Sequence, residues 1–265
     1  MKKETIGASR IILVICGLFM VTNLFSQLTG REIIQMVEDN PDGENRKSLM
    51  TMELINHRGA IRERTILSYS MDLGKDSKSI MFFQSPADVK GTGFLSWQYD
   101  DPERDDDKWL YLPAMKKVRR ISGSSAKNEN FMGSDFTYDD MGGRNVDEDE
   151  HSLIGEESLG GSLCWVVESK PLESDAVYSR TVSWIRQDAL IPVKVEFYDR
   201  MGELLKTLVA SDITKEDGFW TSRKLEMSNH KRNHRTIIAM ESIAYNIAMK
   251  ESLFTVPSLE RGLIE

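Results

Sequence analysis

The stretch MTMELINHRGAIRERTILSYS (Met50–Ser70) decides the fold class. Met50, Met52 and Leu54 alternate with Thr51 and Glu53, the period of two expected of a strand with one buried face. Asn56–Gly59 (NHRG) reads as a turn. Arg62–Ser70 resumes as a strand in which Thr65, Leu67 and Tyr69 alternate with charged or small residues. Downstream, Gly74–Ser77 is a turn and Ile80–Phe83 a continuous apolar strand. Gly93–Tyr99 and Lys108–Leu112 form a pair split by the acidic loop DDPERDDD, and Lys116–Ile121 is a basic strand. Further strands are predicted at Leu163–Lys170, Ser179–Ile185, Pro192–Tyr198, Leu204–Ile213, Phe219–Asn229 and Thr236–Asn246, with turns at DRMG and EDG among others. Short strands separated by regular turns point to an antiparallel sheet or barrel built of meander hairpins.

Upstream, Thr29 and Glu32 have capping-box spacing, Ile33, Ile34, Met36 and Val37 form an apolar stripe, and Pro41–Gly43 ends the short helix. The first 26 residues read as a secretory signal: Lys2, Lys3 and Arg10 precede the uncharged apolar run Ile11–Phe25, and Ser26 is a small residue suited to cleavage. Cys16 is preceded by Ile15 rather than a small residue, and the apolar run continues past it, so it is not read as a lipid attachment site. Residues 27–265 then form one β-domain in the periplasm. Losing three basic residues and one acid with the leader takes the net charge from −8 to −10, which disfavours nucleic acid as a partner. Only Cys164 remains, too few for an internal disulfide, and beside Trp165 it reads as a small buried hydrophobe.

Nothing in the chain reads as a catalytic centre. Gly-x-Ser-x-Gly and phosphate-binding glycine loops are absent. His230 and His234, four apart in HKRNHR, read as a solvated hairpin tip rather than metal ligands, and the clusters DDPERDDD and VDEDE as solvated loops lacking EF-hand spacing. No cofactor or metal is expected. Methionine is flexible and polarizable, and Met50, Met52, Met71 and Met81 fall in the first strands, which suits a cavity for apolar ligands as well as ordinary core packing. The predicted groove face carries Met50, Met52 and Leu54, joined by Ile66, Phe82 and Trp97.

Ser122–Asp149 is too long for a plain connection and carries FMGSDFTYDDM (Phe131–Met141), whose apolar residues a disordered linker would not need. A short helix capped by Ser134 is expected there, with Phe131, Met132, Phe136, Tyr138 and Met141 forming a lid hinged at Gly123, Gly133, Gly142 and Gly143. Arg119 and Arg120 have two readings. They pair with acids of neighbouring strands, or one of them meets an anionic headgroup at the groove mouth or a lid carboxylate such as Asp135 or Asp139.

At LYLPAMKKVRRIS followed by FMGSDFTYDDM the chain resembles the outer membrane lipoprotein-sorting family, relatives of the periplasmic carrier LolA. Leu112-Pro113, Arg119–Ile121, Phe131–Phe136 and Asp139-Asp140 carry the likeness; Trp184-Ile185, Pro192, Tyr198-Asp199, Gly202, Lys206 and Phe254–Pro257 agree with it. The resemblance implies a mainly β fold, an unclosed, strongly curved antiparallel sheet (a half-barrel) with short helices as a lid over a hydrophobic groove. It further implies lipid or lipidated protein as ligand and an inner-membrane RND/MMPL-type transporter as partner. The competing reading is a non-catalytic structural or adaptor subunit of an envelope transport complex; a hydrolase is more distant. The leader predicts that protein recovered from the periplasmic fraction begins near Gln27; N-terminal sequencing that finds the full-length chain in the cytoplasm would overturn it.

Overall fold

The computed structural model describes residues 28–262; the leader read at residues 1–26 lies outside them. The first helix, α1 (Gly30–Glu38), starts as its spacing predicts: Thr29 Oγ1 accepts from the Glu32 N–H, and the Glu32 carboxylate accepts from the Thr29 N–H at 2.7 Å.

Thirteen strands make one antiparallel sheet. The first meander comprises β1 (Asn45–Ile55), β2 (Ile61–Leu73), β3 (Asp76–Ser85), β4 (Gly93–Gln98), β5 (Asp107–Leu112) and β6 (Lys117–Ile121). The second comprises β7 (Asp149–Leu159), β8 (Ser162–Pro171), β9 (Arg180–Arg186), β10 (Pro192–Tyr198), β11 (Leu204–Glu216), β12 (Phe219–Asn229) and β13 (His234–Tyr245). They join where β1 pairs with β13, Met50 opposite Met240 and Met52 opposite Ile238. β6 and β7 remain as edges, so the sheet is not closed into a barrel. Register shifts at Leu49/Met50, Thr65/Ile66, Leu153/Gly155, Pro192/Lys194 and Phe197/Tyr198 interrupt the ladders, and each such bulge bends its strand and adds twist.

Curvature gives the sheet a concave and a convex face. On the concave face, Met50, Met52, Leu54 and Ile66 pack with Phe83, Phe94 and Ile238 under the segment that follows β6. Farther along the same face, Ile33 of α1 packs on Val167 and Ile185. The convex face over β3 and β4 carries Ile80, Phe82 and Leu95, sealed by Phe254 and by Leu259 of α2 (Val256–Arg261). Trp97 lies there too, its Nε1 donating to the Phe254 carbonyl at 2.9 Å, with Lys78 over its ring.

Two assignments of the sequence reading change. Phe82 and Trp97 do not share a face with Met50, Met52, Leu54 and Ile66; Phe83, the next residue of β3, and Phe94, three residues before Trp97 in β4, do. Ile80–Phe83 is apolar at every position and buried on both sides, so alternation could not set its parity, and one residue of register moves a side chain to the opposite face. β7, left unassigned by sequence, is an edge strand with mostly exposed side chains and therefore no apolar alternation to read. Cys164 is a free, buried thiol in the convex cluster with Val166 and Trp184.

Phe254 is fully buried against Phe82 and Leu95. Phe254→Ala should lower the unfolding free energy by about 3–5 kcal/mol in urea denaturation, the usual cost of truncating a buried ring. An unchanged midpoint would mean that the C-terminal cover lies outside the cooperative unit.

Candidate functional site

The segment between β6 and β7 is seated in the concavity. The ring of Phe131 lies 5.2 Å from Phe94, 5.5 Å from Tyr138 and 6.0 Å from Phe83, and Phe136 and Tyr138 are buried beside it. Met132 and Met141 pack against the same cluster. All five apolar residues predicted as a lid therefore meet Met50, Met52, Leu54 and Ile66. In this state the nine cover one another.

The local conformation is not the expected helix from Ser134. A short 3-10 turn spans Phe131–Gly133, with Met132 at φ 48° and Gly133 at φ 79°, and Ser134 is extended. Its hydroxyl accepts from the N–H of Phe136 two residues on, which holds a turn rather than a helix start. Thr137 and Asp140 take the reciprocal capping role instead, Thr137 N–H to Asp140 Oδ2 at 2.7 Å and Asp140 N–H to Thr137 Oγ1 at 3.0 Å. Among the proposed hinges, Gly123 and Gly133 have positive φ; at Gly142 a Cβ would lie 3.1 Å from Lys108 Nζ, so close packing is what calls for glycine there.

Three carboxylates fasten the segment. Asp135, fully buried, accepts from Thr236 Oγ1 at 2.8 Å and pairs with His234 Nδ1 at 2.6 Å. Asp139 meets the buried ammonium of Lys108 at 3.4 Å, which also contacts Asp106 at 3.2 Å. Asp140 accepts from the buried Lys206 at 3.1 Å and from the Tyr178 hydroxyl at 2.9 Å, and Lys206 also donates to Tyr178 Oη at 2.8 Å. Burial, reinforced by Asp140, pushes the Tyr178 phenol far above its ordinary value, so it remains a neutral donor. Arg64 donates to the Met132 carbonyl and lies over Phe83; burial lowers its pKa.

Arg119 and Arg120 point to opposite faces. Arg119, on the concave side, pairs at 2.7 Å with Glu129 of the segment, so the lid partner is Glu129 and neither Asp135 nor Asp139. Both side chains are about half exposed, which limits the pair to roughly 0.2–1 kcal/mol. Arg120, on the convex side, pairs with Asp107 of the adjacent strand. His234 is not at a solvated tip: it turns inward to Asp135, whereas His230 bonds Thr207 at the surface. The acidic loops are also paired rather than simply solvated, Asp105 with Lys127, Asp147 with Arg31, and Asp149 with Arg144.

The seated segment and α1 leave a cavity of about 390 Å³ between them. Ile34, Phe136, Val177, Phe197, Leu208 and Met227 supply its apolar wall; Asp140 and Tyr178 reach its edge, and the Tyr178 ring packs 4.9 Å from Phe197. That volume falls in the range of small-ligand cavities.

The model of a family described as "Uncharacterized protein" matches residues 75–261. A DUF1329 family protein from Desulfovibrio piger superposes with a TM-score of 0.83 at 34% identity, over 87% of this chain and 97% of that one. The chain belongs to the DUF1329 family. A domain named for outer membrane lipoprotein sorting, from Vibrio parahaemolyticus, superposes at 0.82 with 32% identity over 88% and 98% of the two chains. A LolA superfamily protein from Nitrosomonas europaea shares the fold at a TM-score of 0.69 and 17% identity, over 88% and all of its length. No curated protein matches the chain.

For this DUF1329 member, the sequence reading found the segment but missed its receptors, Arg64, Lys108, Lys206, His234 and Thr236, and the cavity wall on β10–β12. Lys108 and Lys206, buried lysines within strands, read from sequence as ordinary surface charges. Each interrupts an otherwise apolar strand pattern, and Lys206 also falls in the family-like stretch.

Asp140→Ala leaves Lys206 buried without its carboxylate. It should cost about 3–5 kcal/mol in urea denaturation, whereas Asp140→Leu combined with Lys206→Met should cost much less. Because Tyr178 holds its proton more tightly folded than unfolded, its contribution is complete below the ordinary tyrosine pKa of 10.0 and declines as pH rises past it. The stability gap between wild type and Tyr178→Phe should therefore narrow above that pH; a constant gap would contradict the assignment.

Proposed function

We propose that this protein is a periplasmic, non-catalytic carrier that holds acyl chains of lipid or lipidated protein in the concavity for transfer to or from the outer membrane. The observation that carries this reading is the 390 Å³ apolar-walled cavity on the concave face. Burying an acyl chain gains about 0.8 kcal/mol per CH₂, so area alone supplies affinity and no reactive group is needed. The shared fold with proteins named for lipoprotein sorting and LolA supports the same reading. Exchange with an inner-membrane RND/MMPL-type transporter extends the proposal and rests on the sequence resemblance alone.

A second reading, a non-catalytic adaptor subunit of an envelope transport complex, draws on the other half of the concavity, where Phe131, Phe136 and Tyr138 fill the groove from within. Mass spectrometry of organic extracts from protein purified out of the periplasm separates the two. The carrier yields near-stoichiometric acyl lipid and the adaptor yields none. Val195→Asp, which puts a carboxylate in the cavity wall, should weaken uptake of a fluorescent fatty acid at least about tenfold while the circular dichroism spectrum is retained. Unchanged uptake by the folded variant would remove the cavity from the mechanism.

A further inference from the structure

A second cavity, of about 400 Å³, lies immediately outside the first. The two adjoin, Asp139, Arg144, Ala176 and Val177 lining both; Gly142 lines the inner cavity and Gly143 the outer. Their linings differ in kind. The inner wall is largely apolar, whereas the outer is built from charges of both signs, including Lys108, Lys127, Arg144, Asp105, Asp106 and Glu173. An apolar chamber and a charged chamber that meet at four shared lining residues match the two ends of an amphiphile.

We propose that the two cavities form one amphiphile site, with the acyl tail in the inner chamber and an ammonium-bearing, net-neutral or cationic headgroup in the outer one. This rests on the carrier reading and adds the headgroup class to it. Three of the outer chamber's four bases are already committed to carboxylates: Lys127 to Asp105 at 2.6 Å, Lys108 to Asp106 at 3.2 Å, and Arg144 to Asp149 at 2.7 Å and Glu148 at 3.3 Å; the fourth, Arg104, is exposed and stacks over the Tyr99 ring. An anionic headgroup would have to break one of these pairs or rely on exposed Arg104 alone. An ammonium can instead add to the exposed side of a carboxylate that already has one partner, since a carboxylate accepts several donors. Asp105 is 79% exposed at its side chain and open to such an addition. Eight carboxylate side chains line the outer chamber against four bases, so its field favours a cation over an added anion.

Two sources offer this chemistry: a phospholipid with an ethanolamine headgroup, and a lipidated polypeptide whose terminal cysteine keeps its free α-amine. The test uses four single-chain probes in competition with a fluorescent fatty acid on the full mature protein. They are lauroyl-lysophosphatidylethanolamine, lauroyl-lysophosphatidylglycerol, and an S-alkyl cysteine peptide with its amine either free or acetylated. The expected result is binding of at least one ammonium-bearing probe about tenfold or more tighter than its anionic or acetylated counterpart, and the pair that shows it identifies the source. Glu173→Lys, an exposed position on the outer chamber, should reduce that preference to within about twofold at low salt while the circular dichroism spectrum is retained; an undiminished preference in the folded variant counts against the headgroup assignment. Equal binding of all four probes, or tighter binding of the anionic lipid, overturns the headgroup assignment while the carrier reading stands. No displacement by any probe, with no fatty-acid uptake, overturns both.

Discussion

Seating one irregular segment on the inside of a curved sheet is the constraint on which the rest of this structure depends. Asp135, Asp139 and Asp140 lie within six residues of one another, and each meets a partner on a different strand: Thr236 and His234 on β13, Lys108 on β5, Lys206 on β11. Removing a buried charge from water is costly unless its partner and hydrogen bonds are in place, so these contacts do not favour the seated state merely by existing. They select it: any other placement leaves Lys206 without its carboxylate and Lys108 with Asp106 alone. The aromatic cluster of Phe131, Tyr138, Phe94 and Phe83 supplies the area, and the carboxylates supply the address.

The same segment divides the concavity in two. Over β1–β5 and β13 it fills the groove with its own rings, and over β8–β12 it stops short of α1, which leaves the inner cavity. Tyr178 stands at the boundary, its ring against Phe197 in the cavity wall and its hydroxyl on Asp140 of the segment. A ligand pressing on that ring would act on the fastening of the segment, so cavity and cover share one side chain.

An unclosed sheet has to manage two edges. β6 is short and basic, and Arg119 and Arg120 are turned to Glu129 and Asp107. β7 carries a bulge at Leu153/Gly155 and the acids Glu150, Glu156 and Glu157, with α1 packed against it. Short length, bulges and charge are the devices by which sheet edges avoid pairing with other chains. The opening that results is also what gives the concave face its access to solvent.

The sequence by itself determined the local structure: the capping box of α1, the hairpins on either side of the long segment, the acidic loops, and the fact that Phe131–Met141 has to be buried somewhere. Alternation fixed the shared face of Met50, Met52 and Leu54 because Thr51 and Glu53 stand between them; in β2 the alternating set Thr65, Leu67 and Tyr69 marks the opposite face from Ile66, and only the pairing of Ile66 with Met50 puts it in the concavity. Alternation could not fix Phe82 or Trp97, where both sides are buried, nor find β7, where neither is. The pairing of β1 with β13, the direction in which the segment folds back, and the choice of Lys108, Lys206 and Thr236 as its receptors were decided only by tertiary structure. These contacts join residues far apart in the chain, and no short-range pattern encodes which distant strand will present a buried lysine to a given aspartate.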